Sequence, residues 1–381
     1  MSAAEEILAR LGREAHELGR AHAEELRALD ETAAAKRALR LLGDAGLAAW
    51  TVPAAFGGAD AKPLVREDTV SVRALAVLRR SLAYHSAMLD VMLVMQGLGS
   101  FALAQAVDRE LAHELLQGVA SGKLCAAFAL TEPGAGSSLA DVAARAHRTD
   151  RGWLLEGHKT FISNAGIADF YTVLARTSDE PRSFTMFCVR ASAQGVRTER
   201  FEVLGPHPIG DVHFSTHLED SARLGAIGGG MSVALAVLAR MRTSVAAAAN
   251  GFARRAFDES RRHLLARQQF GKPLAAMQGL AFEVAEMDTR LRAAELLVDE
   301  AAEAVDHGAD ATLEVARAKL FATENAGWVC DRAVQHFGGL GVKKGSVVEA
   351  LYRDVRALRI YEGSSEVQKL ILAKELFRRS S

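Results

Sequence analysis

Apolar residues recur every three to four positions through most of residues 1–124, with alanines and charged residues between them. This spacing is typical of amphipathic helices that bury one face. A proline and paired glycines interrupt the pattern at residues 50–60, where a loop is expected. Helical spacing returns at residues 74–98 and 109–120. The pattern therefore predicts an N-terminal helical domain over residues 1–124.

The pattern changes at residue 125 to short apolar runs that no helical segment separates. A turn at residues 149–152 divides two of these runs, as in a hairpin. Several short strands in succession favour a small antiparallel barrel or sandwich. The predicted strands cover residues 125–130, 142–147, 153–162, 170–176, 184–189, 196–203 and 212–218. A middle β-domain is therefore predicted over residues 125–222.

Helical spacing returns after three consecutive glycines at residues 228–230 and continues to the end of the chain. Long helices with short connections predict an antiparallel bundle. The predicted helices cover residues 231–268, 274–307, 311–337, 347–360 and 365–379. A C-terminal helical domain is predicted over residues 223–381, so the fold class is mainly α with an inserted β-domain.

Composition and charge limit the classes of partner. A chain of 381 residues with 49% hydrophobic content can bury the core of a globular protein. The 46 basic and 47 acidic residues nearly balance, so we expect no nucleic-acid partner and recognition by pockets instead. Cys125, Cys188 and Cys330 are too far apart for a disulfide framework or a CxxC metal motif, and no metal site is predicted.

The first 20 residues carry Glu5, Glu6, Glu14 and Glu17 among apolar residues, unlike a signal peptide or an acid-poor transit peptide. They are interpreted as an amphipathic helix. No run of residues reaches the uncharged length that we expect of a membrane span. A cytoplasmic protein without a membrane partner is therefore expected.

Residues 359–368 read Arg-Ile-Tyr-Glu-Gly-Ser-Ser-Glu-Val-Gln, where an apolar helical segment breaks at a glycine. Gly363 tolerates the positive φ that such a break requires, so Glu362 is predicted to be presented at a bend. Ser365 and Gln368 have the spacing of a capping box, which predicts a new helix there. Taken alone, this is an ordinary corner between helices with a solvated glutamate.

Residues 131–138 read Thr-Glu-Pro-Gly-Ala-Gly-Ser-Ser and directly follow a predicted strand. Gly134 and Gly136 nearly make a dinucleotide-binding fingerprint, but Leu139 stands where the third glycine is required and strands follow. A Rossmann fold is therefore excluded. What is left is a loop that permits close backbone approach and offers the hydroxyls of Thr131 and Ser137 to a phosphate or a ring.

Three further segments are individually weak. Phe161 and Ser163 are two residues apart on a predicted strand, so they share a face and could contact one flat ligand. Arg267 ends a predicted helix before Phe270-Gly271-Lys272-Pro273 and could grip a phosphate, although most such arginines only complement the helix dipole. Residues 335–341 form a second glycine-rich loop.

The loop at residues 131–138 and the three segments just described occur in a fixed order, followed by Tyr352-Arg353-Asp354 and residues 361–368. Together, these motifs resemble those of the acyl-CoA dehydrogenase flavoprotein family, and the resemblance covers essentially the full length of the chain. The resemblance implies an N-terminal helical domain, a middle β-domain and a C-terminal four-helix bundle. It also implies FAD held between the last two domains and shared across the interface of a homodimer or homotetramer. An electron-transfer flavoprotein is implied as the acceptor.

The resemblance assigns cofactor contacts residue by residue. Along the flavin ring and pyrophosphate it places Phe128, Leu130, Thr131, Gly136 and Ser137. Behind the ring it places Phe161, Ile162 and Ser163. Contacts to the FAD of a neighbouring subunit are assigned to Arg267, Gln269, Phe270, Gln278, Gln335, Gly338 and Gly339. On the cofactor's own subunit it assigns Gly363, Ser364 and Glu366.

Glu362 falls where the family has its catalytic base, which implies that it removes the α-proton of an acyl thioester while the β-hydrogen leaves as hydride to flavin N5. Met241 occupies the position from which some relatives supply the base, so Glu362 has no rival there. Arg242 matches an arginine near the active site and either positions the bend or faces solvent. Substrate contacts are assigned to Ser137, Arg242, Tyr361 and Gly363.

Departures from the family pattern leave alternatives open. Residues 221–225 lack the usual Val-Pro, and Ala239 stands where many relatives have an acidic or small polar residue near the CoA. The thioester carrier could therefore be CoA or an acyl carrier protein. A flavin oxidase or monooxygenase, or a flavin-binding relative without dehydrogenase activity, is a further alternative. The acyl group itself is left open.

Overall fold

A computed structural model describes residues 2–65, 69–180 and 183–379 of the chain, which form ten α-helices and ten strands within those ranges. The helices are α1 (Ala3–Ala28), α2 (Glu31–Asp44), α3 (Val72–Ala83), α4 (Ala87–Ser100), α5 (Arg109–Ala120), α6 (Gly230–Ala266), α7 (Gln278–Asp306), α8 (Thr312–Phe337), α9 (Val347–Arg356) and α10 (Ser365–Arg379). The strands are β1 (Ala126–Ala129), β2 (Arg145–Thr149), β3 (Gly152–Ser163), β4 (Phe170–Arg176), β5 (Phe184–Arg190), β6 (Val196–Arg200), β7 (Ile209–Leu218), β8 (Arg223–Leu224), β9 (Gln268–Gln269) and β10 (Lys272–Pro273).

The chain divides into two compact units by its internal contacts. One unit comprises Met1–Ala21, Val72–Ala87 and Arg242–Ser381, and the other comprises His22–Ser71 and Met88–Met241. The fold class is confirmed, because helical segments precede and follow a β-sheet in the order that the sequence predicts. The bounds of the three domains drawn from the sequence stay predictions.

The first unit, Met1–Ala21 with Val72–Ala87 and Arg242–Ser381, is helical, and small residues let its helices pack closely. The run of valine and alanines at residues 245–249 of α6 is completely or almost completely buried, together with alanines of α7 and α8. Asp306 at the end of α7 accepts hydrogen bonds from the backbone N–H groups of Val72 (2.7 Å) and Arg73 (3.1 Å). This carboxylate satisfies donors at the start of α3 that the helix itself leaves unpaired.

A buried polar chain also joins three helices of this unit. Ser260 of α6 lies 2.5 Å from Nδ1 of His336, and Nε2 of His336 lies 2.8 Å from a carboxylate oxygen of Glu283. The His336 side chain is fully buried, so both of its ring nitrogens need partners there. Ser260 and Glu283 are these partners, and the hydrogen bonds connect α6, α7 and α8 just before the glycine-rich loop.

The second unit, His22–Ser71 with Met88–Met241, contains the sheet. Its strand order is β6-β7-β3-β2-β4-β5-β8, and β1 pairs with β4. The sheet is antiparallel except at β4, which pairs in parallel with β1 and β2. Strands β4 and β5 are buried along almost their whole length, which explains their continuous apolar sequences.

One predicted helix end is wrong in detail. The helix expected to run to residue 268 ends at Ala266, and residues 268–273 form a hairpin of β9 and β10 instead. Phe270 (φ 53°) and Gly271 (φ 76°) make its two-residue turn in the left-handed region. A phenylalanine is not a residue that signals such a turn, so the local sequence does not predict the hairpin.

The expectation that no segment has the character of a membrane span also needs correction. Ala87–Gln105 and Gly230–Ala266 are long and apolar enough to cross a membrane by length and composition. In the structure, 78% and 50% of their most apolar windows are buried inside the protein. Core helices commonly reach such hydrophobicity, so this is weak evidence for a span.

Candidate active site

Glu362 and Gly363 form a sharp hinge between α9 and α10. Their φ angles are 52° and 93°, so two consecutive residues adopt left-handed backbone conformations. The positive φ predicted for Gly363 is confirmed. Glu362 shares it, although a side chain with a Cβ makes this conformation costly. The surrounding residues must therefore hold the hinge in place.

Three side chains of the same unit donate hydrogen bonds to the hinge backbone. Nε of Arg242 donates to the carbonyl of Glu362 (2.8 Å), and Nζ of Lys319 donates to the carbonyl of Gly363 (2.7 Å). Nε2 of Gln368 also donates to the Gly363 carbonyl (2.9 Å). Of the two alternatives open for Arg242, the structure favours the positioning one. We call Arg242, Lys319 and Gln368 the hinge clamp.

The hinge clamp brings two basic groups close to the Glu362 carboxylate. Burial lowers the pKa of Lys319 to about 8, against the opposing effect of the negative charge of Glu362. Burial also lowers the pKa of Arg242, and Glu362 again opposes this shift. Lys319 was not identified as a site residue from the sequence. The sequence feature that could have identified it is its position among the buried residues of α8, beside Val315, Ala318 and Ala322.

The predicted start of α10 at Ser365 is confirmed, but the predicted capping box is wrong by one residue. Oγ of Ser364 accepts the bond from the N–H of Val367 (3.4 Å). Oγ of Ser365 donates instead to Glu324 of α8 (2.5 Å), which also accepts from Arg359 (2.8 Å). The hinge is therefore anchored to α8 on both of its sides.

In the other unit, the loop after β1 is a tight turn with an open surface. Glu132 and Ala135 exchange two backbone hydrogen bonds of 2.9 and 3.0 Å. A Cβ built on Gly134 or Gly136 would meet no atom of the described residues within 4 Å. These glycines therefore leave room for a ligand to approach the backbone, as predicted from the sequence. Among the predicted contacts here, Leu130 is buried, Phe128 and Thr131 are partly exposed, and Gly136 and Ser137 are exposed.

A buried ion pair fixes this loop, and sequence reasoning missed it. Nζ of Lys159 donates to Glu132 (2.8 Å) and to the carbonyl of Leu130 (3.0 Å). Glu132 also accepts from the backbone N–H groups of Ala143 (2.6 Å) and Ala144 (3.0 Å). Burial lowers the pKa of Lys159 to about 8, although Glu132 opposes the shift.

The segment from Phe161 to Ser163 meets the same loop, because the N–H of Thr160 donates to the carbonyl of Thr131 (3.0 Å). The pairing of β3 with β7 is irregular between Lys159 and Ile162, and Phe161 has a φ of 54°. The shared-face argument for Phe161 and Ser163 assumed a regular strand, so its premise is wrong. Phe161 is nevertheless 60% exposed, while Ile162 is buried.

The residues assigned to a neighbouring subunit lie on exposed parts of the helical unit. Phe270, at the tip of the β9–β10 hairpin, is 90% exposed. Gly338 and Gly339 are open, because an added Cβ would meet no described atom within 4 Å. The remaining residues of this set, also exposed, are Arg267, Gln269, Gln278 and Gln335. Their role in binding a cofactor stays a prediction.

Among the other predicted residues of this unit, Tyr361, Gly363 and Ser364 are partly exposed and Glu366 is exposed. The structure thus brings Arg242, Glu362 and Gly363 into contact in one unit. In the other unit it brings the loop at Thr131 against the segment of Phe161. The first arrangement presents a carboxylate on a hinge held by hydrogen bonds, and the second places hydroxyl groups and an exposed aromatic ring beside open glycine backbone.

Comparisons with known proteins agree with this arrangement. The family model for the acyl-CoA dehydrogenase middle domain matches residues 127–216, and the model for the C-terminal domain matches residues 228–377. A cyclohexane-1-carbonyl-CoA dehydrogenase of Geobacter metallireducens is 32% identical over 90% of both chains.

Two solved structures have the same fold over nearly the whole chain. A butyryl-CoA dehydrogenase of Megasphaera elsdenii superposes with a TM-score of 0.88 at 27% identity, covering 97% of this chain and 98% of its own. An FAD complex of PigA superposes with a TM-score of 0.87 at 25% identity, covering 100% of this chain and 98% of its own.

Proposed function

The chain belongs to the acyl-CoA dehydrogenase family, and from this premise we propose that Glu362 is the base that removes the α-proton of an acyl-CoA. The protein is an FAD-dependent oxidoreductase that acts on the CH–CH bond next to the thioester. The position of Glu362 at a clamped hinge is the observation that supports its role most directly.

The residues of the sheet unit fit the cofactor. Open glycines at Gly134 and Gly136 suit the close approach of a pyrophosphate, and the exposed ring of Phe161 suits a flat isoalloxazine. Thr131 and Ser137 would add hydroxyl groups. When bound, FAD supplies the acceptor for the two electrons and the hydrogen that leave the β-carbon.

Glu362 and its neighbours would supply the proton chemistry. A base must be fixed against the α-carbon, because a small displacement of a catalytic group has a large effect on rate. The hinge clamp holds the two carbonyls that directly follow the Glu362 Cα: Arg242 binds that of Glu362 itself, and Lys319 binds that of Gly363. Arg242 and Lys319 also place positive charge close to the Glu362 carboxylate.

The carrier of the acyl group can be tested directly. Protein that contains FAD is titrated anaerobically with a set of acyl-CoA esters, and with the same acyl groups on a carrier protein. We expect loss of the oxidised flavin absorbance with at least one acyl-CoA at stoichiometric amounts. Reduction by the carrier-bound acyl group alone would support the alternative substrate. Reduction by neither, across straight, branched and cyclic acyl groups, would contradict the proposal.

The electron acceptor and the assembly are further parts of the proposal. We propose that an electron-transfer flavoprotein accepts the electrons. Oxygen is the alternative acceptor, and slow reoxidation of the reduced protein in air would exclude it. We also propose a homodimer or homotetramer, in which the exposed Phe270 hairpin reaches a neighbouring subunit. The three buried, free cysteines suit the cytoplasm, where thiols stay reduced.

A further inference from the structure

A cluster of potential metal ligands lies on the sheet, outside the residues assigned to cofactor or substrate. His158 of β3 and His213 of β7 are direct partners in the antiparallel register. Asp211 precedes His213 by two residues on the same strand, so both side chains project from the same face. All three residues are partly exposed.

Their side chains converge. The rings of His158 and His213 are stacked, with centroids 4.1 Å apart and planes 20° from parallel. Nε2 of His158 lies 3.3 Å from Oδ2 of Asp211. One ligand atom from each of the three residues can be chosen so that all lie within 4.8 Å of one another. In a tetrahedral zinc site with bonds of about 2.0–2.1 Å, ligand atoms are about 3.3 Å apart, so the side chains must move closer together when an ion binds.

Two polar atoms of the cluster lack hydrogen-bond partners in the structure. Nε2 of His158 and Oδ1 of Asp211 are buried and make no hydrogen bond among the described residues; the 3.3 Å contact of Nε2 with Oδ2 of Asp211 is an ion pair only when His158 is protonated. Leaving a buried polar atom unpaired is unfavourable, so such atoms in a native protein need an explanation. A cation between His158, Asp211 and His213 would give both atoms a partner.

The neighbouring strand β6 places charges of both signs beside the cluster. Arg197 pairs with His213 and opposes a cation, while Glu199 pairs with Asp211 and favours one. His213 and Arg197 also line a surface cavity of about 650 Å³, which leaves room for water beside the cluster. The charges of Arg197 and Glu199 offset each other, so these two residues add no net charge that would repel a divalent ion.

We propose that His158, Asp211 and His213 form a binding site for a Zn²⁺ ion, with water as a fourth ligand. Two imidazoles and one carboxylate are a donor set that suits zinc and other late divalent metals, and they leave one tetrahedral position open. The ligands lie on two paired strands, so the backbone holds them close without the ion.

Metal binding to the purified FAD-containing protein tests the proposal. Wild-type protein is stripped with EDTA, dialysed and titrated with Zn²⁺ by calorimetry, and with Co²⁺ by visible absorbance. We expect one ion per chain and a Co²⁺ spectrum of tetrahedral intensity. Losing a ligand in His213→Gln or Asp211→Asn should weaken binding by at least the roughly 10- to 100-fold that loss of an outer-shell partner costs.

His217→Gln is the matched control, because His217 lies on the same strand and face, four residues from His213. This variant should bind Zn²⁺ as the wild type does. Circular dichroism and flavin content show whether each variant is folded. Absence of stoichiometric binding in folded wild type, or equal binding in folded His213→Gln, would overturn the site. Neither result depends on turnover of a thioester.

Discussion

Glu362 has a backbone conformation that is unfavourable for glutamate, and the structure explains how it is kept. Its φ of 52° is followed by 93° at Gly363, and side chains from α6, α8 and α10 bind the two carbonyls. The sequence indicated Glu362 and Gly363, since a glycine that breaks a helical pattern marks a bend. It did not indicate Lys319, because only the fold brings α8 to the hinge.

Replacing Lys319 should loosen the hinge and slow proton removal. In Lys319→Met we expect flavin reduction by acyl-CoA to be about 10- to 100-fold slower, because the base is less well positioned. Burial lowers the pKa of Lys319 to about 8, so the wild-type rate should fall as pH rises through 8, when the charged donor to Gly363 is lost.

The pH profile separates this role from a merely structural one. Lys319→Met should lack the step near pH 8, whereas Lys374→Met, an exposed lysine of α10, should keep both the rate and the step. Stopped-flow measurement of flavin absorbance across about pH 6.5–9.5, a range chosen to bracket the pKa of about 8, tests this. A wild-type profile in Lys319→Met would show that the clamp does not need the lysine.

Gly363→Ala should destabilise the protein. A side chain at φ 93° is strained, and its Cβ would lie 2.6 Å from Nε2 of Gln368. We expect the free energy of unfolding to fall by about 1–3 kcal/mol. Gly279→Ala is the control of opposite sign, because Gly279 is helical with open space around its Cβ. Alanine there should stabilise by about 0.5–1 kcal/mol. If denaturant titrations show the same change in the free energy of unfolding for both variants, the backbone at Gly363 is not strained by a side chain.

Among the elements, the long helices follow directly from apolar spacing, while the short irregular features depend on tertiary contacts. The hairpin of β9 and β10 turns at Phe270, and β3 is irregular between Lys159 and Ile162. Neither place carries an Asn-Gly or similar signal. The loop after β1 was predicted from its glycines, but the buried pair that holds it joins residues 27 positions apart. Local sequence cannot show such a pair.

Breaking that buried pair should be costly. Lys159→Met leaves the carboxylate of Glu132 buried without its cation, which typically costs about 3–5 kcal/mol of unfolding free energy. The double variant Lys159→Met with Glu132→Gln should recover part of this loss. Chemical denaturation at neutral pH measures both variants. Equal stability of the single variant and the wild type would contradict the structural role of the pair.

The same pair predicts a pH dependence of stability. Burial lowers the pKa of Lys159 from 10.5 to about 8, so between these values the unfolded chain binds more protons than the folded one. The contribution of Lys159 to the unfolding free energy therefore rises as pH rises from about 8 to 10.5. The double variant lacks this contribution. Raising the pH from about 8 to 10.5 should therefore increase the unfolding free energy of the wild type relative to that of the double variant.

For the whole molecule, the order of helical and β segments and the family were predictable from sequence, because several motifs occur in a fixed order along the chain. The acyl group was not predictable, since its pocket depends on side-chain packing. The proposed assembly is also not encoded in any single motif. The observation that supports it is Phe270, a large apolar side chain that is 90% exposed at a hairpin tip.

Phe270→Asp should therefore weaken both assembly and flavin retention. Burying a charge in an interface without a partner is unfavourable, so we expect a smaller species in sedimentation and less FAD per chain. Phe377→Asp, at an exposed phenylalanine of α10, is the comparison. If Phe270→Asp keeps the wild-type mass and flavin content, the hairpin is not part of an interface.

The most direct measurement for Glu362 as the base is anaerobic reduction of the bound FAD in Glu362→Gln. This variant should keep its yellow cofactor, and acyl-CoA should reduce it at least about 100-fold more slowly than the wild type, because the proton acceptor is gone. Glu286→Gln, at an exposed glutamate of α7, should react at the wild-type rate. Flavin reduction in Glu362→Gln at the wild-type rate would contradict the account.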